Sequence, residues 1–574
     1  MTLSDHCRKM ADGSLYLGFD LSTQQLKCLA IDKDLAIQCT VVVDFDSDLA
    51  HYKTVKGVYA REGNVVESPV EMWLEAVDLC FERLARDVDL GAVAAISGSC
   101  QQHASVYWKD AAKSRLRDLD GRRSLQEQLG PCLSRANAPN WQDHSTEMQR
   151  QQFEAHCGGP QELAQLTGSK AHYRFTGLQI KKIRDTERAT FDATAAISLA
   201  SSFLASVLVG QLVPPEEADA CGMNLYDIAQ HQYDKQLLQL VDDTLFDKLC
   251  GNPVPCDKVR PLGSVAQYFV EKYAVNAKCT IYPVTGDNLA TICSLPLQKN
   301  DLLVSLGTST TVLAVTEKYS PAPNYHMFIH PTIPGHYMGM ICYCNGALAR
   351  ERIKDTLGDE SGSWAAFNRA LEDDSVDTFA ELAVYFPLPE IVPSVDHPSI
   401  KRVRITSEGL QEVESFASRA HDAKNIVESQ ALSCRVRVAP LLSTLPEMRP
   451  TGQYAAFDGQ QRDIAEFTRR PNRVFFVGGA SKNDAIVRTM ADVLGAKDGN
   501  YRLETSNSCA LGGCYKALWS DLQYKQKIHA SFADWLGSVF KWDRDCQIVS
   551  DTDNDKWNTY LGRIGALSRL EDTL

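Results

Sequence analysis

Five stretches of this sequence place small hydroxyl, amide or acidic residues directly after an apolar run, where a strand would end and a turn begin. Leu15–Asp20 leads into Leu21-Ser22-Thr23-Gln24, and Ala92–Ser97 leads into Gly98-Ser99-Cys100-Gln101-Gln102-His103. Thr280–Val284 leads into Thr285-Gly286-Asp287-Asn288, Asp301–Ser305 into Leu306-Gly307-Thr308-Ser309, and Arg473–Val477 into Gly478-Gly479-Ala480-Ser481-Lys482-Asn483. Ligands of α/β sheets bind at the carboxyl ends of strands. A turn of small hydroxyl residues lets backbone N–H groups converge on an anion without basic side chains, which makes Ser22, Thr23, Gly307, Thr308 and Ser309 candidate phosphate holders. Asp20 would serve as a hard oxygen ligand for Mg²⁺, or simply cap its turn. Gly478 and Gly479 at a helix start suit a flat ligand or a phosphate, or make an ordinary strand-to-helix turn.

Local devices of this kind are what an acidic protein needs. The 574 residues carry 59 basic and 73 acidic side chains, a net charge of −14, which argues against nucleic acid and anionic membrane as partners. No Walker loop, GxGxxG, HExxH or GxSxG is present, so P-loop, dinucleotide-fold, zincin and α/β-hydrolase chemistry lose their simplest support. His326, His330 and His336 sit among prolines with no acidic or thiol partner at ligand spacing, and are expected to be solvated. The 18 cysteines form no CxxC pair, and with a polar N-terminus lacking an apolar signal core they are expected to be buried thiols of a cytoplasmic protein. The uncharged run 193–215 is interrupted by Ser198, Ser201, Ser202 and Ser206, which predicts a buried helix and not a membrane span.

The elements that must position these residues alternate between strand and helix, the pattern of an α/β fold. Ile37–Phe45 reads as a third strand. Ser68, Pro69 and Glu71 form a capping-box pattern ahead of an amphipathic helix that turns Trp73, Val77, Cys80 and Leu84 to the core. The charged segment 109–130 is expected to be an exposed excursion. Laid without gaps, Gly18–Gln25 matches Leu303–Thr310, each a strand, a tight polar turn and a returning strand. The two copies open the two halves of the chain, which predicts two domains of related topology across a cleft.

These motifs resemble those of the FGGY carbohydrate kinases, in the actin/Hsp70/sugar-kinase ATPase superfamily, most closely the eukaryotic D-xylulose kinase branch, from Tyr16 to about Trp519. FDLSTQQLK resembles the first phosphate motif, with Ser22 where many relatives have Gly; SLGTSTT resembles the second and VGGASKN the adenosine motif. SGSCQQHASVYW resembles the sugar loop and supplies Gln102 and His103; YRFTGLQIKKI supplies Arg174; TGDN resembles the catalytic loop and supplies Asp287 and Asn288. GSWAAFN places Trp364 against adenine, with Gly478, Gly479 and Asn483 also on the nucleotide.

The resemblance implies two ribonuclease H-like domains, 1–295 and 296–574, flanking the active-site cleft. It implies ATP and Mg²⁺, and phosphorylation of D-xylulose to D-xylulose 5-phosphate with Asp287 as general base, Asp20 at the magnesium, and Gln102, His103, Arg174 and Asn288 on the sugar. Taken singly, Arg174 also fits a surface ion pair, His103 a satisfied buried imidazole, and Asp287 a turn-forming residue. A kinase for ribulose, glycerol or gluconate stays open, as does a regulatory ATPase-fold protein. Oligomeric state, monomer or homodimer, and the roles of 109–130 and 368–430 are not legible in the sequence.

Overall fold

A computed structural model describes residues 13–358, 362–448, 453–503 and 507–574; the polar N-terminal segment and Cys7 lie outside them. Strands β1 (Leu15–Leu21), β2 (Gln25–Ile31) and β3 (Ile37–Asp44) form an antiparallel meander. The first turn is closed by Ser22, whose N–H and hydroxyl both donate to the Gln25 carbonyl at 3.0 Å. Helix α1 (Val70–Asp87) leads to β4 (Val93–Cys100), which runs parallel to β1. Three two-residue strands complete the sheet: β5 (Gly263–Ser264), β6 (Thr280–Ile281) and β7 (Thr285–Gly286). The order is β5-β6-β4-β1-β2-β3, with β7 also paired to β4. Every residue of β1 is buried because both faces are covered. Leu15, Leu17, Phe19 and Leu21 alternate into one core with Trp73, Val77, Cys80 and Leu84 of α1, and Tyr16 points into another.

The capping box does not form where the sequence suggested. Ser68 and Pro69 finish a strand, Val65–Pro69, paired with Asn137–Pro139. The Val70 N–H donates to the Ala136 carbonyl at 3.0 Å, so a neighbouring strand satisfies the donor that a cap would have served. A capping box is instead made by Ser124 and Glu127, inside 109–130. That segment is no free excursion: Leu116, Leu125 and Leu129 are buried and anchor its exposed charges. The run 193–215 is a strand, Ala196–Leu199, followed by the buried helix α2 (Ala200–Val209). Among the described residues no helix is long and apolar enough to cross a membrane.

The strand expected over Thr280–Val284 is broken into β6 and β7, between which lies Pro283. After β7 comes the short helix α3 (Asp287–Ile292). The second sheet contains β8 (Leu302–Leu306), β9 (Thr310–Thr316), β10 (His326–Ile329), β11 (Tyr337–Tyr343), β12 (Val474–Val477), β13 (Asn500–Leu503) and β14 (Cys546–Ser550). Its order is β10-β11-β9-β8-β12-β13-β14. From β11 to β14 it repeats the first sheet: three antiparallel strands, two parallel neighbours, and an antiparallel edge. The eight-residue sequence match therefore marks the same hairpin, β1-β2 and β8-β9, in two copies of one frame. Helix α4 (Arg419–Val438) and helix α5 (Asp484–Leu494) cover the second sheet, α5 through Ile486, Met490, Val493 and Leu494.

Helix α6 (Ser508–Gln526) returns from the second half of the chain to lie on the first sheet. Glycines permit the approach. A Cβ on Gly513 would sit 2.7 Å from the Gly98 Cα, and one on Gly18 would collide with the Ala510 carbonyl oxygen. The helix thus rests directly on the backbones of β1 and β4.

Candidate active site

The register of β1, β4 and β7 brings Asp20, Ser99 and Thr285 into one row. Strands stand about 4.8 Å apart, so the Asp20 and Thr285 backbones are separated by about 10 Å. Ser99 Oγ donates to Asp20 Oδ1 at 3.0 Å. Burial pushes the Asp20 carboxyl up from 3.8 to about 6, opposed by the Ser99 hydroxyl and the Lys27 charge. Two residues past Thr285, Asp287 starts α3. Burial pushes it from 3.8 to about 7; the Asn288 N–H on Oδ1, at 2.7 Å, opposes this, the Asp20 charge adds to it, and Arg174 opposes it. A carboxyl poised near neutrality is suited to taking a proton.

Around Asp287 lie the other residues proposed for sugar. Asn288 Nδ2 donates to Gln102 Oε1 at 3.1 Å and to Asp287 Oδ1 at 3.2 Å. His103 follows the end of β4 with φ 72°, a left-handed conformation uncommon for a residue with a side chain. Its Nδ1 lies 2.9 Å from the Gly222 carbonyl, which can only accept, so Nδ1 carries the proton and Nε2 is left as an acceptor. Burial, reinforced by Arg174, holds this imidazole neutral. Thr176 Oγ1 donates to the His103 carbonyl at 2.9 Å and fixes the strained backbone. The Arg174 guanidinium lies over the Phe175 ring at 5.5 Å. Among the described residues it makes no ion pair; burial lowers its pKa against the opposing pull of Cys342, Cys344 and Asp287. Cys342 pairs with Thr311 of β9, just past the second turn, so Arg174 reaches from the first half to the second.

The nucleotide candidates line a separate open cleft of about 870 Å³, formed by Gly307, Thr308, Trp364, Asn368, Gly479 and Asn483. Thr308 and its neighbour Ser309 are exposed. Gly478 adopts φ 89°, and a Cβ there would lie 2.9 Å from the Leu306 carbonyl oxygen, so it lets the β12 turn close onto the end of β8. Asn483 caps α5, accepting from the Ile486 N–H at 3.2 Å, and its Nδ2 donates to Asn368 Oδ1 at 2.7 Å. Trp364 meets Phe367 edge-on at 5.2 Å.

The structure thus gathers Asp20, Gln102, His103, Arg174, Asp287 and Asn288 on the first half, and Gly307, Thr308, Trp364, Gly479 and Asn483 on the second. Thr23 accepts from Trp141 Nε1 at 2.9 Å. The solvated histidines are corrected: His326 and His330 are buried. His326 Nε2 lies 3.0 Å from the Cys221 carbonyl, and His330 Nδ1 accepts from the Ile333 N–H at 3.1 Å. No group of three metal-ligating side chains occurs among the described residues. Sequence reasoning missed Asp219, Lys27 and Trp141. Asp219 is buried and Ser201 Oγ donates to it at 2.5 Å; Lys27 Nζ donates to Asn507 Oδ1 at 2.9 Å. Asp219 and Trp141 lie in no motif, and Lys27 closes FDLSTQQLK without its spacing alone marking a role.

Comparison with known proteins identifies the family. Residues 132–251 match the N-terminal domain, and residues 302–520 the C-terminal domain, of the FGGY family of carbohydrate kinases. The chain is 52% identical to a xylulose kinase of Saccharomyces cerevisiae, covering 98% of this chain and 97% of that one. It is 43% identical to a xylulose kinase of Schizosaccharomyces pombe, covering 88% and 89%. Its fold superposes on the crystal structure of xylulose kinase from Rhodospirillum rubrum with TM-score 0.74 at 15% identity, covering 98% and 99% of the two chains. Plasmodium falciparum glycerol kinase with ADP gives 0.67 at 15%, covering 96% and 98%. With both family domains matched and a relative 52% identical over 98% of the chain, the chain belongs to the FGGY family of carbohydrate kinases.

Proposed function

We propose that the chain transfers the γ-phosphoryl group of ATP to O5 of D-xylulose, with Asp287 as general base. The observation that carries the chemistry is Asp287 itself, a carboxylate held by Asn288 and pushed to about 7, beside an arginine without an ion pair. The choice of xylulose is supported by the names of the relatives above. Asp287 accepts the hydroxyl proton as the sugar oxygen attacks phosphorus; a positioned base contributes about 10²–10⁴ in rate. His103 Nε2 accepts from a sugar hydroxyl, Arg174 donates to the ketone oxygen, and Gln102 and Asn288 complete the polar lining. Pairing each polar group of the sugar rejects analogues that lack one.

Ser22, Thr23, Gly307, Thr308 and Ser309 contribute the turns that hold the phosphates, Ser22 by closing its turn. Gly478, Gly479, Asn483 and Trp364 line the adenosine end. Asp20 fits Mg²⁺: it is a buried carboxyl pushed up to about 6 by burial, and a cation beside it would favour its ionised form. The lack of a three-ligand set among the described residues suits an ion that keeps waters and phosphate oxygens. A Mg²⁺ ion held by Asp20 would supply positive charge to offset that of the phosphates. The same reading divides the chain near residue 295, between α3 and β8. It also places the protein in the reducing cytoplasm, where cysteines stay reduced.

The test is ADP release with Mg·ATP against D-xylulose, D-ribulose, L-xylulose, glycerol and no sugar. A rate with D-xylulose well above the others is expected. Turnover independent of any sugar would replace the kinase reading with a regulatory ATPase.

A further inference from the structure

Behind the catalytic loop, Asp219 and Gln102 press against the same residue, Gly286, which immediately precedes Asp287. A Cβ at Gly286 would lie 2.7 Å from Asp219 Oδ1 and 2.6 Å and 2.8 Å from Gln102 Cγ and Nε2. Asp219 and Gln102 are both buried, at 3% and 4% exposure. Asp219 Oδ2 is occupied by the Ser201 hydroxyl. Among the described residues, Asp219 Oδ1 and Gln102 Nε2 are both buried and make no hydrogen bond of good geometry; they crowd the same face of Gly286, and the Gln102 amide is among the groups that favour the ionised Asp219.

Donor and acceptor logic then orders the whole row. Burial pushes the Asp219 carboxyl from 3.8 to about 7; once ionised it only accepts, so Gln102 must turn its NH₂ to Asp219 and its carbonyl to Asn288. Asn288 must therefore present its NH₂, and gives its two protons to Gln102 Oε1 and Asp287 Oδ1. Its own Oδ1 is thereby directed as an acceptor. We propose, resting on the kinase reading above, that Asp219 is a positioning residue that sets the orientation of the Gln102 and Asn288 amides and through them holds Asp287 and the sugar hydroxyls in register. Reversing the first amide would leave two NH₂ groups facing each other at Gln102 and Asn288.

The experiment is a double-mutant cycle on the full-length chain, with kcat and KM for D-xylulose and for ATP. Asp219→Asn keeps shape and size, and the new amide can still accept from Ser201. It presents an NH₂ to Gln102, and is expected to lower kcat/KM for the sugar by on the order of 10-fold to 100-fold, with KM for ATP within twofold. Gln102→Glu alone sets two carboxylates together and is expected to be impaired as severely. Combining them restores a donor facing an acceptor at both junctions, and the double variant should exceed either single variant at least fivefold. A residue needed only for folding would lower the active fraction and leave both KM values and the cycle flat. Asp219→Asn with sugar kinetics within twofold of the natural protein, or a double variant no better than the poorer single, overturns the inference. If Asp219→Asn fails to fold, Gln102→Glu is decisive alone, and unaltered sugar kinetics overturn it. An inactive natural protein would instead defeat the kinase reading on which the inference rests.

Discussion

Replacing Asp287 by Asn should abolish most activity while making the protein more stable above neutral pH. Burial raises this carboxyl from 3.8 to about 7, with Asp20 adding and the Asn288 N–H and Arg174 opposing. The folded chain therefore binds the proton more tightly than the unfolded chain. Stability contributed by this group is full below about 4, falls as pH rises, and is lost above about 7. A gap of roughly 3 units at 1.36 kcal/mol each sets an upper bound of about 4 kcal/mol. Asp287 is only half-buried by surface area, so cleft water screens part of this and about 2 kcal/mol is the working figure. The amide escapes the penalty because it does not ionise. Calorimetric melting of both proteins between pH 5 and 8 should show Asp287→Asn gaining roughly 3 °C at pH 8 and little at pH 5. Its rate with sugar should fall by about 10²–10⁴, and kcat/KM of the natural protein should drop tenfold per unit below about pH 7. A melting difference that does not grow with pH, or a less stable variant at pH 8, would refute the assignment of a buried, strained charge to this position.

Gly513→Ala should lift α6 from β1 and β4, because the new methyl meets the Gly98 backbone at 2.7 Å and the Gly18 Cα at 3.3 Å. Overpacking of this kind costs about 1–3 kcal/mol, and an unchanged melting temperature would show that the helix is not seated as described. With phosphate-holding turns on both halves and water excluded during transfer, the radius of gyration in small-angle scattering should fall when D-xylulose and a non-hydrolysable ATP analogue are both present. No compaction with both ligands would count against closure.

What the sequence revealed followed from local pattern. The strand, turn and returning strand at Asp20–Gln25 and Leu306–Thr310 are visible because apolar runs and small polar turns need no distant partner. The core face of α1 is legible at spacings of three and four for the same reason. The start of that helix was not, because Val70 donates to Ala136, sixty-six residues on. Burial of His326 and His330 depends on carbonyl and N–H partners supplied by the fold, and prolines nearby said nothing of it. Asp219 was invisible on the same ground: its meaning comes from Gly286, Gln102 and Ser201, which only the packing of β7 and α2 brings together.

The duplicated frame also gives a reason for the proposed proton chemistry to fall on one half. In the matched hairpins Asp20 of β1 stands where β8 has Ser305, and their cross-strand neighbours are Ser99 and Val477. The row that holds Asp20 continues through Ser99 to the strand feeding Asp287, whereas among the described residues the paired positions Ser305 and Val477 of the second sheet carry no carboxylate. Had both copies kept an acid at that position, two buried negative charges would face the phosphates from opposite turns, each raising the other and repelling the nucleotide. On the proposed reading, with the acid on one side only, the second turn would meet phosphate through backbone and hydroxyl groups, and the carboxylates on the first would each take a positive partner, a cation at Asp20 and a proton at Asp287.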